Sequence, residues 1–341
     1  MAGALLVTGA TGLVGGQIAA RYLERTDRQV FALVRAADDA EAGRRVEEAL
    51  AATYGLDHGY GGRVTGLAGD LEQPGLGLAQ TRLDELAGQV TTVAHAAASV
   101  SFAQPLDEAR RINVEGTERV LEFARLCERR GALERFAYVS TTYVAGAYDG
   151  HFTEDDGDVG QEFRNSYERS KLEADQLVRR EAGSLPVRIF RPGIVVGEHQ
   201  SGWTSSFNVL YFPLKLFAKG RNPPIVPARR DTPIDAVPID YAADAIFELT
   251  ERGGEIGTTF HLVAGKEAGT IGELLDMAAD SFGRRKPTLM PLSLYMHTLH
   301  HVLRHAYRGQ RKRQILQAAD YLPYFSMRQT FDNRRAQELL E

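Results

Sequence analysis

A glycine-rich turn close to the N-terminus constrains the fold of this chain more than any other stretch. The apolar run Ala4–Val7 stops just before this turn, and a helical pattern of apolar residues follows it. Strand, tight turn and helix N-terminus in this order can bind phosphate, because glycines let the backbone approach the anion and the first helical N–H groups point at it. An ordinary strand–helix turn is the alternative. The candidate pyrophosphate-binding residues are Gly9, Thr11, Gly12, Leu13, Val14 and Gly15.

Apolar runs alternate with helical patterns along the first part of the chain. The predicted strands are Ala4–Val7, Gln29–Val34, Val64–Asp70, Thr91–Ala97, Arg135–Thr142 and Val187–Gly197, with helices at Asp107–Arg130 and Asn165–Glu181. Strands of this kind, separated by helices, predict an α/β fold: a Rossmann-type doubly wound parallel sheet. We expect residues 1–198 to form the cofactor domain with the catalytic residues. Residues 199–341 would form a smaller, mostly helical substrate region, with 234–264 returning to the first domain.

Two further elements are predicted in that returning segment. Asp240 is expected to N-cap a helix that runs to Leu249, and Thr258–Val263 to form a late strand of the sheet. Upstream, the apolar helix within Gly202–Gly220 suits either an acyl pocket or core packing of the smaller domain.

Composition narrows the class of protein. The 341 residues are enough for a sizeable core, and 43% apolar with 25% charged residues is typical of soluble globular proteins. The net charge of −5 argues against a general nucleic-acid binder. The single cysteine, Cys127, excludes an internal disulfide. With no apolar run of roughly 18 residues and a strand directly at the N-terminus, we expect a cytoplasmic protein without a transmembrane segment.

The ends of three predicted strands carry the candidate contacts to the adenosine half of a dinucleotide. Arg35 follows the second strand, and Arg45 lies in the next helix. An acidic residue at the end of this strand would bind a free ribose 2′-hydroxyl, whereas arginine suits a 2′-phosphate. We therefore predict NADP rather than NAD, with two ordinary surface arginines as the alternative. The other candidates are Asp70 and Leu71 after the third strand and Ala96 and Ala97 after the fourth.

A tyrosine and a lysine one helical turn apart form the candidate catalytic centre. Tyr167 and Lys171 stand at positions i and i+4 of a predicted helix and so share a face. Free tyrosine has a pKa near 10, and a fixed cation beside it lowers that pKa. Thr141, at the end of the preceding strand, supplies a hydroxyl that can hydrogen-bond a substrate carbonyl oxygen. His95 lies in an apolar strand, and we predict a core histidine there rather than a catalytic one.

Together these motifs resemble the extended short-chain dehydrogenase/reductase family over nearly the whole chain. The resemblance rests on the glycine turn, Asp70-Leu71, Asn113 in Asn-Val-Glu-Gly-Thr, Ser140-Thr141, Tyr167 with Lys171, and Arg191-Pro192-Gly193. It implies that Tyr167 is the general acid/base and that Lys171 tunes the tyrosine and binds the cofactor ribose. It also implies that Thr141 rather than Thr142 polarises the carbonyl, and that Asn113 helps to hold a water-linked proton relay to Lys171. The implied cofactor contacts further include Pro192, Gly193 and Ile194.

Within that family the chain looks most like the branch that reduces acyl thioesters, such as synthetase reductase domains, carboxylic acid reductases and fatty acyl-CoA reductases. Matching stretches are Leu33–Arg35 with Arg45, His95–Phe102 with Pro105-Leu106, and Val237–Tyr241. The resemblance implies NADPH-dependent reduction of an acyl-CoA or acyl carrier protein thioester to an aldehyde, with the further step to the alcohol undecided. The alternatives are an NADP-dependent ketoreductase or alcohol dehydrogenase and a sugar-nucleotide epimerase or dehydratase. A non-catalytic NADP-binding regulator would be expected to lack Tyr167 or Lys171.

A basic stretch near the C-terminus is the candidate partner surface. Residues 281–319 contain eight lysines and arginines and no acidic residue. The candidate partners are an acidic acyl carrier protein supplied in trans, the phosphates of CoA, or a membrane surface contacted through 284–313. A solvated basic face without a partner is equally compatible with the pattern. His297, His301 and His305 share a helical spacing, but we predict no metal site.

Overall fold

The computed structural model describes residues 3–54, 60, 62–207, 210–220, 225–252, 255–299, 302, 305 and 321–340. The strands are β1 (Ala4–Thr8), β2 (Val30–Val34), β3 (Val64–Ala68), β4 (Val90–His95), β5 (Arg135–Val139), β6 (His151–Phe152), β7 (Val187–Pro192), β8 (Ile194–Val196), β9 (Ile225–Pro227), β10 (Pro233–Ile234), β11 (Ala236–Pro238), β12 (Thr258–Leu262), β13 (Gly269–Thr270), β14 (Thr288–Met290) and β15 (Thr330–Phe331). The α-helices are α1 (Leu13–Arg25), α2 (Asp39–Tyr54), α3 (Gln80–Ala87), α4 (Leu106–Arg110), α5 (Gly116–Arg129), α6 (Ser166–Arg180), α7 (Tyr211–Ala218), α8 (Ile239–Glu251), α9 (Ile271–Phe282), α10 (Leu292–His297) and α11 (Arg334–Leu340).

Seven of these strands form one sheet in which every neighbouring pair is parallel. The order across the sheet is β3-β2-β1-β4-β5-β7-β12. The chain moves outwards in one direction from β1 to β3 and in the other from β4 onwards. Ligands of open α/β sheets bind at the C-terminal ends of the strands where this reversal occurs. The predicted doubly wound fold is confirmed, and the late strand predicted at Thr258–Val263 is β12.

Helices cover both faces of this sheet, which explains why its strands are apolar without simple alternation. In β1, Leu5 and Val7 belong to the core shared with α1, α2 and α8. Ala4 and Leu6 belong to the core on the other face, shared with α3, α5 and α6. Leu5, Leu6 and Val7 are completely buried, and each such side chain stabilises the fold by about 1.5–3 kcal/mol. The rigid sheet therefore fixes the loops at its C-terminal edge.

The predicted strand Val187–Gly197 is divided at Gly193 into β7 and β8. A Cβ atom on Gly193 would lie 2.5 Å from the carbonyl oxygen of Asp235, so only glycine permits this approach of two backbones. The N–H of Ile194 donates to that same oxygen at 2.8 Å. From there β8 pairs with β11 instead of continuing in the main sheet.

Two helices differ locally from their predictions. The prediction that Asp240 caps α8 is wrong: the helix follows Pro238 without a side-chain cap, and Asp240 lies within its first turn. There its Oδ1 accepts a hydrogen bond from the N–H of His199 at 3.1 Å. The predicted helix Asp107–Arg130 contains a π-helical turn over Arg111–Glu115, between α4 and α5. Such turns often occur at functional sites, and this one contains Asn113.

Much of the predicted basic partner surface lies outside the described residues. This applies to His300, His301, Arg304, Arg308, Arg311, Lys312 and Arg313. In its described part, Lys286 pairs with Asp276 at 2.9 Å, and Arg284 donates to the carbonyl of Ala218 at 3.4 Å. Across the described ranges, we find no helix with the length and apolar character that a membrane crossing requires.

Candidate active site

The turn between β1 and α1 has the geometry of a pyrophosphate cradle. Gly9 has a φ of +77°, and a Cβ atom there would lie 2.8 Å from the backbone nitrogen of Ala97. A Cβ atom on Gly15 would lie 2.3 Å from the carbonyl oxygen of Gly9. Gly12 caps α1 without a side-chain hydrogen bond, so the cap residue itself places no side chain at the helix N-terminus. The residues present therefore fit a dinucleotide whose pyrophosphate meets the N–H groups of α1.

The other predicted cofactor residues follow the C-terminal ends of neighbouring strands. Ala96 and Ala97 follow β4, next to β1, and the N–H of Ala97 donates to Oγ1 of Thr8 at 3.2 Å. Asp70 and Leu71 follow β3, where the Asp70 side chain accepts from the N–H of Glu72 at 2.9 Å. Pro192, Gly193 and Ile194 stand at the end of β7 and the start of β8. The fold thus brings all three groups to the edge of the sheet that carries the glycine turn.

Arg35, at the end of β2, lies in a small cluster of charged residues. Its side chain is 75% exposed, with Nη1 3.9 Å from Oε1 of Glu72. Arg111 donates from Nε to Oε2 of the same carboxylate at 2.7 Å. Arg45 donates to the backbone carbonyl of Arg35. Arg35 and Arg45 are therefore neighbours, as the phosphate-site prediction requires, but a carboxylate that the sequence did not reveal lies beside them.

Thr141 and Tyr167 meet beyond the end of β5. The strand ends at Val139, and Thr141 then caps a short 3₁₀ turn by accepting from the N–H of Tyr143 at 3.2 Å. Burial raises the pKa of Tyr167 to about 12, and the neighbouring Thr141 hydroxyl opposes this shift. The phenol is therefore neutral at physiological pH in the structure.

Lys171 is fully enclosed, and its partners are not the ones that spacing alone suggested. Its Nζ donates to the hydroxyl of Tyr138 and to the carbonyl of Val139, both at 2.9 Å. Burial lowers the pKa of Lys171 to about 7, although the negative charge of Asp175 opposes this. We expected the lysine to lower the pKa of Tyr167. Instead, burial dominates at both residues in the structure without a ligand.

Asn113 ties the loop after β4 to α6. Its Oδ1 accepts from the N–H of Ser99 at 2.7 Å, and its Nδ2 donates to Oγ of Ser170 at 3.0 Å. These partners hold the side chain next to the helix that carries Lys171. Among the described residues, no hydrogen bond joins the Asn113 side chain to Lys171. A water-linked relay between them therefore stays a prediction.

His95 is a core histidine, as predicted. Its ring is buried at the end of β4 between the hydroxyls of Thr8 and Thr117, at 2.7 and 3.0 Å. Burial lowers its pKa to about 3, and the charge of Lys171 adds to this effect. The imidazole is consequently neutral.

A buried ion pair between Arg191 and Asp175 lies next to the candidate catalytic residues. Arg191 of β7 donates from Nη2 and Nε to the two carboxylate oxygens of Asp175, at 2.8 and 3.0 Å. Ser140, next to Thr141, donates to the same carboxylate at 2.6 Å. Burial alone would raise the pKa of Asp175, but Arg191 and Arg179 lower it to about 2. The carboxylate therefore stays ionised and fixes the strand end on which Thr141 stands.

Aromatic rings cover Tyr167. The ring of Phe102 lies 5.6 Å from that of Tyr167, and the same ring contacts Tyr321 at 5.1 Å and stacks on Tyr324 at 5.2 Å. Tyr321 and Tyr324 belong to the segment around the 3₁₀ turn Leu322–Ser326, far along the chain. Tyr167 is left 9% exposed.

An apolar pocket begins one residue from Thr141. Its lining consists of Thr142, Tyr143, Ile194, Leu210, Pro233, Ile234, Asp235, Ile271, Tyr324, Phe325, Met327, Gln329 and Phe331. Leu210 comes from the stretch that the sequence nominated for an acyl pocket, whereas Phe207 of that stretch is 77% exposed. Burial raises the pKa of Asp235 to about 6, while N–H donors of Ala264 and Gly265 oppose the shift.

The comparison with known families agrees with this geometry. A profile of the NAD-binding family described as male sterility proteins matches residues 7–246. The chain belongs to this family of extended short-chain dehydrogenase/reductases. It is accordingly an NAD(P)-dependent oxidoreductase.

Individual relatives point to one branch of the family. The enzyme is 33% identical to the nonribosomal peptide synthetase asaC of Aspergillus flavus, and 30% identical to the aldehyde reductase lnbA of the same organism. Each alignment covers 76% of this chain and 26% of the relative, so the chain spans about a quarter of their length. Over its whole length the chain superposes on 86% of the terminal R domain of the myxalamid PKS-NRPS pathway, with a TM-score of 0.83 and 26% identity.

Several residues of this oxidoreductase's site escaped the sequence analysis. Asp175 carried a signal, since it stands one turn beyond Lys171 on the face that begins with Tyr167. Tyr138 carried none, because an aromatic residue in a buried strand is ordinary core material. Tyr324 lies more than a hundred residues beyond α6, and only the tertiary fold brings it to Tyr167.

Proposed function

We propose that the enzyme reduces an acyl thioester to an aldehyde with NADPH, using Thr141, Tyr167 and Lys171. The observation that carries the proposal is the pair of neighbouring hydroxyls, Thr141 and neutral Tyr167, beside an apolar pocket. Two donors directed at one oxygen suit the developing oxyanion of a thioester carbonyl. A neutral phenol is also the form that can donate a proton in the direction of reduction.

The cofactor supplies the hydride when it is bound. In this proposal Thr141 and Tyr167 donate hydrogen bonds to the carbonyl oxygen of the substrate, and Tyr167 protonates that oxygen once the carbon has become tetrahedral. Lys171 holds a positive charge near the phenol and restores its proton. The resulting hemithioacetal then separates into the aldehyde and the thiol.

Arg35 and Arg45 support NADPH as the cofactor. Arg35 projects into solvent at the end of β2, and Arg45 bonds to its backbone. Two guanidinium groups at this position suit a 2′-phosphate. The acceptor that a free 2′-hydroxyl would need is the nearby Glu72 carboxylate, which pairs with Arg111 at 2.7 Å.

The pocket and the relatives support an acyl chain as the substrate's variable part. Leu210, Ile194 and Ile271 make part of the pocket lining apolar, which favours methylene groups over polar ones. The relatives named as peptide synthetases, and the similar R domain, favour a thiol carried by a phosphopantetheine arm, on CoA or on an acyl carrier protein. Whether the aldehyde is reduced again is an outcome of the test.

The test measures loss of reduced-nicotinamide absorbance with NADPH or NADH and a series of acyl-CoAs and acyl carrier protein thioesters, with products identified by mass spectrometry. We expect NADPH-dependent aldehyde from the native enzyme. Tyr167→Phe should lower turnover by about 10²–10⁴-fold with the Kd for NADPH changed only slightly. Activity on ketones but on no thioester would contradict the proposal and identify a ketoreductase.

A further inference from the structure

The ammonium of Lys171 lies in a site built by a neighbouring strand. Only 2% of the residue is exposed, so its N–H groups need partners inside the protein. Two partners come from β5 and its end: the hydroxyl of Tyr138 and the carbonyl of Val139, each 2.9 Å from Nζ. Nζ also lies 4.5 Å from the centre of the Tyr138 ring. The same tyrosine therefore contacts the lysine with both its hydroxyl and its ring.

The hydrogen of the Tyr138 hydroxyl has one destination. The oxygen accepts from Lys171, so its own hydrogen must go elsewhere, and the Thr117 hydroxyl is the uncharged polar group that acts on it. The Thr117 hydroxyl donates to the carbonyl oxygen of Asn113 at 2.6 Å. We therefore infer that the Tyr138 hydrogen is directed at the Thr117 oxygen, whose own hydrogen is used in the π-helical turn.

The same reasoning fixes the tautomer of His95. Because the Thr117 hydrogen is already used, His95 Nε2, 3.0 Å from Oγ1 of Thr117, must be the donor. Its Nδ1 is then an acceptor and receives the hydroxyl hydrogen of Thr8 at 2.7 Å. Thr8 Oγ1 accepts from the N–H of Ala97 at 3.2 Å. Every bond from Lys171 to the glycine turn consequently has a defined direction.

We propose that Tyr138 is a positioning residue for Lys171: its hydroxyl holds the ammonium, and Thr117, His95 and Thr8 fix that hydroxyl relative to the cofactor turn. Two N–H groups of the ammonium are used in this way, and the third is directed by them to a ligand. The inference depends on the proposed function at one point only, the participation of Lys171 in the reaction. The geometry itself holds for any ligand of this site.

The other ionisable groups near Lys171 come from each element packed around it. They are His95 of β4, Tyr138 of β5, Tyr167 and Asp175 of α6, and Arg191 of β7. His95 is neutral, and the charge of Asp175 is shared with Arg191. The Tyr138 oxygen is therefore the acceptor whose removal should be felt by the ammonium without a change in net charge. Because an acceptor stabilises the charged form, its loss should lower the pKa of Lys171 further.

The test reads Lys171 directly. The chain has six lysines, at 171, 215, 219, 266, 286 and 312, so protein labelled with ¹⁵N at lysine Nζ gives few resonances, and Lys171→Met identifies the buried one. In Tyr138→Phe we expect its titration midpoint to fall by about one pH unit, the size of a lost hydrogen bond to a charge. The alkaline limb of the pH–activity profile should move with it.

Two further variants separate positioning from plain structural support. Tyr22 is an equally buried tyrosine whose hydroxyl bonds Glu251 at 2.8 Å, remote from Lys171, so Tyr22→Phe should cost stability without moving the Lys171 titration. Thr117→Val should lower the titration midpoint of Lys171 as well, but by less than Tyr138→Phe. It provides the test if Tyr138→Phe does not fold. An unchanged Lys171 titration in the folded variant would overturn the inference. Absence of thioester reduction in the native enzyme would overturn the proposed function and leave the NMR result standing.

Discussion

The hydroxyl of Tyr324 donates a hydrogen bond to Oε1 of Glu168, the residue that follows Tyr167. Glu168 is completely buried, and Arg164 pairs with the same carboxylate oxygen at 3.2 Å. The Arg164 guanidinium also lies 5.4 Å from the centre of the Tyr324 ring. The segment that contains Tyr324 is thereby bound to the first turn of α6, and its rings cover the candidate acid/base Tyr167.

Replacing Tyr324 by Phe keeps the ring on Phe102 and removes two hydrogen bonds: the one donated to Glu168 and the one that the hydroxyl accepts from Nδ2 of Asn165 at 2.7 Å. We expect the free energy of unfolding to fall by about 1.5–3 kcal/mol, because a buried carboxylate loses a donor. We also expect the KM for the acyl substrate to rise, since the cover of the site loosens, while the Kd for NADPH stays constant. Urea unfolding and steady-state kinetics measure both. Tyr321→Phe, for whose hydroxyl the described residues provide no hydrogen bond, is the matched control. Equal effects in the two variants would contradict a role for the Glu168 bond.

Thr141 and Thr142 form a natural test pair, because adjacent hydroxyls have different surroundings. The Thr141 hydroxyl lies beside the Tyr167 phenol, whereas that of Thr142 is directed to the carbonyl of Pro192 at 3.4 Å. Thr141→Val should lower kcat by about 10²–10³-fold, the usual effect of removing one oxyanion donor. Thr142→Val should reduce kcat less than tenfold. Parallel single-turnover measurements decide between them, and a larger loss at Thr142 would move the carbonyl-polarising role to that residue.

Much of the fold was predictable from local pattern. The glycine turn, the apolar strands and the Tyr167–Lys171 spacing are set by residues near one another in sequence, where steric and helical rules apply directly. The doubly wound parallel sheet was predictable because a chain of alternating strands and helices has few ways to cover both faces of a sheet.

What escaped prediction depends on contacts between distant segments. The break at Gly193 is caused by the carbonyl of Asp235, which no pattern around residue 193 reveals. Asp240 has the side chain of a good helix cap, but the cap position of α8 is taken by Pro238. The Asp240 carboxylate accepts a hydrogen bond from the backbone N–H of His199 instead. The pKa of Tyr167 follows burial under Phe102 and the C-terminal tyrosines rather than the distance along α6. Local spacing nominated the candidate catalytic residues Tyr167 and Lys171, and tertiary packing sets their electrostatics.

The charged cluster at the end of β2 gives a test of cofactor choice. If the 2′-phosphate binds Arg35, Arg35→Ala should raise the Kd for NADPH about 10–100-fold, the value of a charge-assisted hydrogen bond, and leave NADH binding nearly unchanged. Glu72→Gln removes a competing carboxylate and should tighten NADPH binding several-fold, more at low salt. Fluorescence titration measures both. Arg44→Ala, an exposed arginine of α2 paired with Glu48, is the control. Equal losses for NADPH and NADH in Arg35→Ala would argue against a 2′-phosphate site.

Buried His95 predicts how stability depends on pH. Its pKa is about 3 in the folded protein, lowered by burial and by Lys171, against about 6.5 in an unfolded chain. The unfolded state therefore binds the extra proton as the pH falls below 6.5, and stability decreases from there towards pH 3. At pH 5 this one histidine should cost about 2 kcal/mol relative to pH 8.

His95→Gln should lower stability at every pH but remove that share of the acid dependence, so the variant's curve should be flatter between pH 8 and pH 5. Urea unfolding at several pH values measures the slopes. His199→Gln, at an exposed position, should leave the slope close to that of the native protein. Parallel curves for the native protein and His95→Gln would show that the imidazole is not held neutral. In that case the assignment of its Nε2 as a hydrogen-bond donor to Thr117, with Nδ1 as an acceptor, would be wrong as well.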